Sequence, residues 1–460
     1  MGRRIGLVFA ALSLGFILAL IFFPSFRETI RRTPPNRAGT GKTNPVLIGA
    51  MGYLGYVNEG DVYVIDIAQG STSRVTRTGG ASRPKVSPGG QFVAFSRNNT
   101  LVIAHTDGSA EYQVPNGSRP ETARWSFYNA ALVYTTADGA LMTYDPRVGE
   151  NGARQIDPPG SGVGTTAVWA ASGARIAFER RRPVRDGYSR EGIWVVDTTT
   201  RNPVASPVYM TAGSTGLRLC CWTGNDQFIL FWQVPLSEDA PGAVGRLLIA
   251  AASSSEPVEL TASSLMLRAL VGAGGTGAVT PMIDGGEKPW TSRKKLVITE
   301  PTSAPNGQFQ AKRVVLEASE QLSPGAPALP LNGTTIAYSV GPSLASAGND
   351  VSRSLANRRI WVVGLDGKQK RSLLPEATVP QGVSDDQPEW ARDAKTIVYA
   401  RRIGTGSGSG STGGGRSGQL EVWVAYADGS NARRLVGGLN DPGVNSLGVV
   451  EYDLVYDFQP

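Results

Sequence analysis

The sequence predicts an all-β protein, specifically a β-propeller of eight four-stranded blades, and three observations support this prediction. A hairpin phrase, Pro84 to Phe95, recurs along the chain in degenerate copies. Each copy leads into a second β-rich run that ends in a polar turn, such as Ile193 to Asp197. The aromatic residue that closes the first run returns at intervals typical of propeller blades.

The hairpin follows from the residues of the phrase itself. Pro88 fixes φ near the value that the first corner of a turn requires, and Gly89 and Gly90 tolerate positive φ. The next four residues, 92–95, are apolar and form a short buried strand. The copies begin at Trp125, Trp169, Trp222, Leu331 and Trp390.

The spacing of the closing aromatic counts the blades. From Tyr56 through Phe95, Tyr134, Phe178, Phe231, Tyr338 and Tyr399, the steps are 39, 39, 44, 53, 107 and 61 residues. One step is double, so we infer a degenerate unit between Trp232 and Ser319, with Lys295 to Ile298 as one of its strands. This gives eight blades, and seven is the alternative if that stretch is an insertion. The run Val449 to Phe458 alternates like a strand, and we expect it to close the ring as the missing opening strand of the first blade or as an outer strand beside it.

These residues resemble the TolB-type propeller repeat, a WD-repeat-like family whose unit runs Pro-x-Trp-Ser-Pro-Asp-Gly into a strand ending Ala-Phe, followed by a strand ending Asp-x-Asp-Gly. The closest matches are Ser87 to Phe95 and Ala425 to Gly429, and the resemblance spans residues 50–438. It departs from the family pattern at Gly89, which replaces Asp. The resemblance implies the fold and, for this family, a usual location outside the cytoplasm. It does not imply a function, because propellers host many.

The N-terminus differs in kind from the rest. Residues 5–23 form an uncharged, almost entirely apolar run that is long enough to span most of a hydrocarbon core. We therefore predict a signal-anchor or transmembrane helix within 1–26, a polar linker at 27–46 and the propeller at 47–460. A cleaved signal peptide is the alternative. The arginines that follow the run favour a cytoplasmic propeller by the positive-inside rule, whereas the resemblance favours export, which is our prediction.

Absences argue against several chemistries. His105 is the only histidine, so a multi-histidine metal centre cannot be built, and no nucleophile elbow is present. We predict no enzyme activity, no catalytic residue, no cofactor and no metal site. Asp385-Asp386 is the one dense acidic pair, interpreted as a solvated turn or as a calcium ligand. Cys220 and Cys221 are adjacent in a strand, so we expect thiols on opposite faces.

Long insertions give the clearest indication of function. Four of them, at 180–192, 233–244, 341–357 and 404–418, fall between the second and third strands of a blade, which places them on one face. Arginines crowd that face, and the chain carries a net charge of +7. The candidate binding residues are Arg180, Arg181, Arg182, Arg185, Tyr188, Arg190, Arg401 and Arg402.

The sequence thus predicts a single-pass membrane protein, anchored through residues 5–23, whose propeller is an interaction module of the cell envelope. The expected partner is a protein or an anionic envelope polymer, and nucleic acid is disfavoured because no aromatic-interleaved basic stripe is present. Two alternatives are an enzyme that acts on glycans through carboxylates in the central channel and a sensor of a small ligand or metal ion.

Overall fold

The computed structural model describes residues 52–460 except for thirteen gaps. These gaps are 128–129, 160–162, 185–186, 212–214, 236–243, 254–255, 266–279, 286–292, 300–312, 331–332, 344–356, 405–417 and 444–449. Within the described residues, no helix has the length and apolar character needed to cross a bilayer. The predicted anchor (1–26) and linker (27–46) lie outside the described residues.

Eight antiparallel sheets follow one another along the chain and form the eight blades of a β-propeller. Seven have four strands, and the sixth has three within the described part of the chain. The strands are β1 (Tyr53–Asn58), β2 (Asp61–Asp66) and β3 (Ser71–Arg74) in blade 1; β4 (Ala81–Val86), β5 (Phe92–Arg97), β6 (Thr100–His105) and β7 (Glu111–Gln113) in blade 2; β8 (Arg124–Trp125), β9 (Leu132–Thr135), β10 (Leu141–Tyr144) and β11 (Ala153–Asp157) in blade 3; β12 (Val163–Trp169), β13 (Arg175–Val184), β14 (Gly187–Asp197) and β15 (Ala205–Met210) in blade 4; β16 (Thr215–Trp222), β17 (Phe228–Pro235), β18 (Val244–Ala251) and β19 (Val258–Leu265) in blade 5; β20 (Thr280–Asp284), β21 (Lys295–Thr299) and β22 (Arg313–Leu316) in blade 6; β23 (Leu322–Ala328), β24 (Thr335–Pro342), β25 (Arg359–Gly364) and β26 (Arg371–Ser372) in blade 7; β27 (Ser384–Trp390), β28 (Thr396–Ile403), β29 (Gln419–Tyr426) and β30 (Arg433–Asn440) in blade 8; and β31 (Tyr456–Gln459), which returns to blade 1. Short 3-10 helices cover Pro120–Thr122, Pro146–Gly152, Glu376–Thr378 and Tyr452–Leu454.

The recurrent hairpin forms as its residues predict. Gly89 and Gly90 have φ of 82° and 69°, which glycine adopts without steric cost. The Gly90 amide donates to the Ser87 carbonyl at 2.9 Å, and the Ser87 hydroxyl accepts from the Phe92 amide at 3.0 Å. The turn therefore joins the first strand of blade 2 to the second.

Successive strands of a blade run antiparallel, so their connections alternate between two faces of the ring. We call upper face the one that carries the second-to-third-strand connections and the fourth-to-first-strand connections between blades; the other is the lower face. The Arg293 amide, in the connection before β21, donates to the Ser319 carbonyl at 3.1 Å, in the connection between blades 6 and 7. The Ser343 amide donates to the Gln321 carbonyl of that same connection at 2.7 Å. Ser343 follows the second strand of blade 7, on the upper face, which places the connection before β21 there as well. The three described strands of blade 6 are therefore its second, third and fourth.

The hydrophobic core is divided into eight layers, one between each pair of neighbouring blades. The closing aromatics all lie in second strands and point toward the preceding blade: Phe178, for example, packs with Val133 and Leu141 of blade 3. In blade 6, Met282 points toward the preceding blade in the same way. This substitution is why the sixth unit lacks the aromatic that marks the others, and the predicted count of eight is confirmed.

The recurrent tryptophans link neighbouring blades. Each lies at the end of an inner strand, and its indole N–H donates to a backbone carbonyl in the inner strand of the preceding blade. The bonds are Trp125 to Lys85 (2.7 Å), Trp169 to Arg124 (3.2 Å), Trp222 to Val168 (3.1 Å) and Trp390 to Ala328 (3.0 Å). A repeated residue in the sequence thus corresponds to a repeated contact across the blade interfaces.

The ring closes through β31, as predicted for the C-terminal run. β31 pairs antiparallel with β1, with Tyr456 opposite Tyr56 and Phe458 opposite Leu54. The sheet order is β3-β2-β1-β31, so the last strand of the chain is the innermost strand of the first blade. No open edge is left at that position.

Candidate functional site

The four connections that were predicted to share a face occupy one position in their blades. They join β13 to β14, β17 to β18, β24 to β25 and β28 to β29, each of which is a second-to-third-strand pair. All four therefore leave the upper face, which confirms the prediction of a common face. The first of them is not a loop as expected. β13 and β14 stay paired out to Val184 and Gly187, so a two-stranded ribbon extends this blade.

Arg180 holds the base of this ribbon, which we call the blade 4 ribbon (residues 180–192). Its guanidinium Nη2 donates to both carboxylate oxygens of Asp157, at 2.7 and 2.8 Å, and its Cζ lies 3.9 Å from the centre of the Trp194 ring. The Arg180 charge is thus already matched within the protein. Arg180 positions the ribbon rather than standing free for a partner.

The other candidate residues of the ribbon are placed by their backbones alone. Arg181 lies opposite Arg190, and Tyr188 lies opposite Pro183. Arg182 lies opposite Ser189. Arg185 and the side chains of Arg181, Arg182, Tyr188 and Arg190 lie outside the described part of the structure.

Arg401 and Arg402 do not contribute to an exposed basic rim, contrary to their assignment as surface binding residues. They are 5% and 6% exposed. Arg401 donates to both oxygens of Asp385, at 2.6 and 2.8 Å, and lies over the Trp423 ring at 4.1 Å. Arg402 pairs with Asp441 at 2.7 Å. The reason is that β28 continues through both residues, so they belong to the sheet and not to the loop after it.

A repeated arrangement that was not among the sequence predictions underlies these pairs. An arginine follows the closing aromatic by two residues in three blades and lies over that ring: Arg97 over Phe95 (5.0 Å), Arg180 over Phe178 (5.8 Å) and Arg401 over Tyr399 (5.8 Å). Each of these arginines also pairs with an acid, namely Glu111, Asp157 and Asp385. The recurring sequence pattern aromatic-x-Arg could have predicted this arrangement.

The acidic pair Asp385-Asp386 is neither a solvated turn nor a set of calcium ligands. Both residues lie in β27 and are buried, and Asp386 pairs with Arg358 at 3.2 Å while Asp385 pairs with Arg401. Burial raises the pKa of Asp385, and the bonds from Arg401 oppose that rise. Both carboxylates are therefore committed to arginines. Across the described residues, no group of three or more His, Cys, Asp or Glu side chains is arranged to hold a metal ion.

Further charge is enclosed beside this pair, between blades 6, 7 and 8. Lys294 is fully buried, and burial, reinforced by Arg358 and opposed by Asp386, holds its pKa well below the usual range. Burial likewise raises the pKa of Tyr452, with Asp386 adding to the shift. Of these groups, Arg358 of blade 7 and Asp386 of blade 8 form an ion pair that crosses from one blade to the next. His105 takes no part, because it lies in β6 with its ring 4.7 Å from Phe92.

Comparisons with known proteins do not select a function. No family model matches the sequence. No curated protein matches it either. Similar solved structures include one described as TolB from Agrobacterium tumefaciens, with 11% identity over 84% of this chain and 89% of that one and a TM-score of 0.36.

Enzymes appear among the neighbours as well. Prolyl endopeptidases share 9% identity over 85% of this chain, with a TM-score of 0.48, and this chain spans 50% of their length. An oligogalacturonate lyase in complex with manganese shares 14% identity over 77% of this chain and 73% of its own, with a TM-score of 0.35. At these identities and TM-scores the likeness carries no argument about what this chain does.

Proposed function

We propose that this protein is a membrane-anchored β-propeller that binds a protein or an anionic polymer of the cell envelope through its upper face. The observation that carries the proposal is that the long second-to-third-strand connections of blades 4, 5, 7 and 8 all leave that face. Binding residues are commonly found on connections held by a rigid scaffold. The anchor in this proposal is the apolar run at residues 5–23, and the propeller is exported.

The blade 4 ribbon is the centre of the proposed surface. Among these four connections, it is the one in which the described strands continue as a paired ribbon. Beyond its base at Arg180, the ribbon carries Arg181, Arg182, Arg185 and Arg190. Guanidinium groups suit carboxylate, sulfate and phosphate because they donate two parallel hydrogen bonds. Arg401 and Arg402 support the rim from inside through their pairs with Asp385 and Asp441.

The test removes positive charge from one face of the propeller at a time. In the full chain, Arg181, Arg182, Arg185 and Arg190 are changed to Ser, and the fixed Arg180 is kept. The matched control changes Arg147, Arg201, Lys368 and Arg392 to Ser, because these four exposed residues lie on lower-face connections and carry the same total charge. Both variants and the wild type are recovered from isolated membranes, solubilised, and compared on a heparin matrix and in crosslinked envelope extracts.

The proposal expects the full chain in the membrane fraction, with the ribbon variant eluting from heparin at lower salt and losing its crosslinked partner. The lower-face variant should keep the partner, although its net charge is the same. Equal behaviour of the two variants would overturn the assignment of the upper face. Recovery of the full chain from the soluble fraction would overturn the anchor.

A further inference from the structure

Cys220 and Cys221 lie on the same side of their strand, which corrects the expectation of opposite faces. In the ladder between β16 and β17, Leu219 is opposite Phe231 while Cys221 is opposite Leu230, so Cys220 is the extra residue of a β-bulge. A bulge interrupts the alternation of side chains. Both cysteines therefore enter the core layer between blades 5 and 6, whereas Leu219 belongs to the layer between blades 4 and 5.

The two sulfur atoms are in direct contact. Their Sγ atoms are 2.9 Å apart, about 0.9 Å more than the ~2.05 Å of a disulfide bond. Neither cysteine is in a disulfide bond, and both side chains are buried, 1% and 5% exposed, within an apolar cluster that includes Leu230 and Trp232. The fold thus holds the two thiols close together, and their sulfur atoms need to move only slightly closer to form a bond.

We propose that Cys220 and Cys221 are a modification site that closes to a disulfide between adjacent residues when the chain folds in an oxidising compartment. The oxidant is a protein or low-molecular-weight disulfide. One thiolate attacks a sulfur of that disulfide, which forms a mixed disulfide and releases one oxidant thiol. The second cysteine, as its thiolate, then attacks the Sγ of the first, which forms the Cys220–Cys221 bond and releases the second oxidant thiol. The cysteines lose two electrons, and the oxidant is reduced to two thiols.

Burial determines when this reaction takes place. The attacking species is the thiolate, which an apolar environment disfavours. Exchange is therefore fastest before the layer between blades 5 and 6 has packed, and the packed layer then shields the product. Adjacent residues also hold their Cα atoms about 3.8 Å apart, closer than the ~4.4 Å minimum of ordinary disulfides, so the bond is readily reduced when it is exposed. The state of the pair thus reports where the chain folded, and this inference is independent of the upper-face proposal.

The experiment refolds the purified full chain in two redox conditions. One sample refolds with a mixture of oxidised and reduced glutathione, and the other refolds with dithiothreitol. Each is then denatured in N-ethylmaleimide without reductant and digested with trypsin, which releases both cysteines in the single peptide 219–246. Thermal unfolding of each sample before the quench verifies that the protein is folded.

The oxidised sample should yield this peptide without N-ethylmaleimide and lighter than the dithiol by two hydrogen atoms, whereas the dithiothreitol sample should carry two additions. The Cys220→Ser and Cys221→Ser variants, refolded with glutathione, should each carry one glutathione or one N-ethylmaleimide and show no loss of hydrogen. Two N-ethylmaleimide additions, or two glutathiones, on the wild-type peptide from the oxidised sample would overturn the proposal.

Discussion

At the scale of single residues, the molecule buries charged side chains that the sequence pattern assigned to the surface. Arg401 is typical: it has a bidentate carboxylate on one side, an indole face on another and Tyr399 beneath it. Buried pairs are weak evidence for net stability, but they are costly to break, because the remaining charge cannot be solvated. Such a pair fixes which strands lie together at the rim.

The change Asp385→Asn should lower the free energy of unfolding by about 3–5 kcal/mol, because it leaves the Arg401 charge buried without its counter-ion. The matched control is Glu320→Gln, which removes the acid of the exposed Arg293–Glu320 pair and should cost less than about 1 kcal/mol. Urea unfolding, followed by tryptophan fluorescence, measures both. Equal losses in the two variants would show that the Asp385–Arg401 pair is effectively solvated.

The sequence could not identify this pairing, for a physical reason. Whether Arg401 is exposed depends on Asp385, which lies in the neighbouring strand across a ladder that is interrupted by a bulge between Asp386 and Glu389. Strand alternation predicts sides only while the ladder is regular. A bulge in blade 5 likewise explains why the prediction of opposite sides for Cys220 and Cys221 was wrong.

At the scale of strands and their contacts, the repeat is defined by the side-chain contacts between neighbouring blades. The closing aromatic packs against the preceding blade, and the tryptophan of the inner strand donates to it. These two contacts explain why aromatic spacing alone located seven of the second strands. They also explain the weak sixth unit, where Met282 provides apolar volume without an aromatic ring.

The double change Trp222→Phe and Trp390→Phe should lower the free energy of unfolding by about 2 kcal/mol, with roughly equal shares. Each substitution keeps an aromatic ring but removes one hydrogen bond to the preceding blade, which is worth about 1 kcal/mol. The sites lie in different blades, so the effects should add. Chemical denaturation of the single and double variants measures this.

The control for the tryptophan series is Trp194→Phe. The Trp194 indole N–H has no hydrogen-bond partner among the described residues, so this change alters the ring without removing a bond between blades. A loss in Trp194→Phe as large as in Trp222→Phe would assign the effect to ring packing instead.

At the scale of the whole molecule, the ring is held closed by one short strand. β31 contributes Tyr456 and Phe458 to the layer between blades 8 and 1, and it pairs with β1 along four residues. The architecture, the number of blades and the common face of the long connections were all predictable, because each depends on order along the chain. The charged pairs at the upper rim were not, because they depend on side chains that meet only after the blades assemble.

Removing residues 450–460 should destabilise the entire propeller, because blade 1 loses its inner strand and β1 is left with an unpaired edge. We expect a cooperative loss of stability together with association of the truncated chains. Thermal unfolding and size-exclusion chromatography measure the two effects.

The matched control removes the same number of residues, 406–416, from the connection between β28 and β29. Shortening a connection between two strands changes its closure entropy only slightly, so this deletion should leave the melting temperature nearly unchanged. Normal melting of the chain that lacks 450–460 would show that blade 1 is stable without β31.

The pairing of Tyr56 with Tyr456 also affects the order in which the protein can fold during synthesis. During synthesis, β1 leaves the ribosome some four hundred codons before the partner that completes its sheet. Early blades can therefore begin to pack, but the ring cannot close until β31 has been synthesised. A nascent chain interrupted before β31 carries most of its apolar layers and yet keeps one unpaired strand edge, so synthesis of β31 decides between a closed ring and an aggregation-prone intermediate.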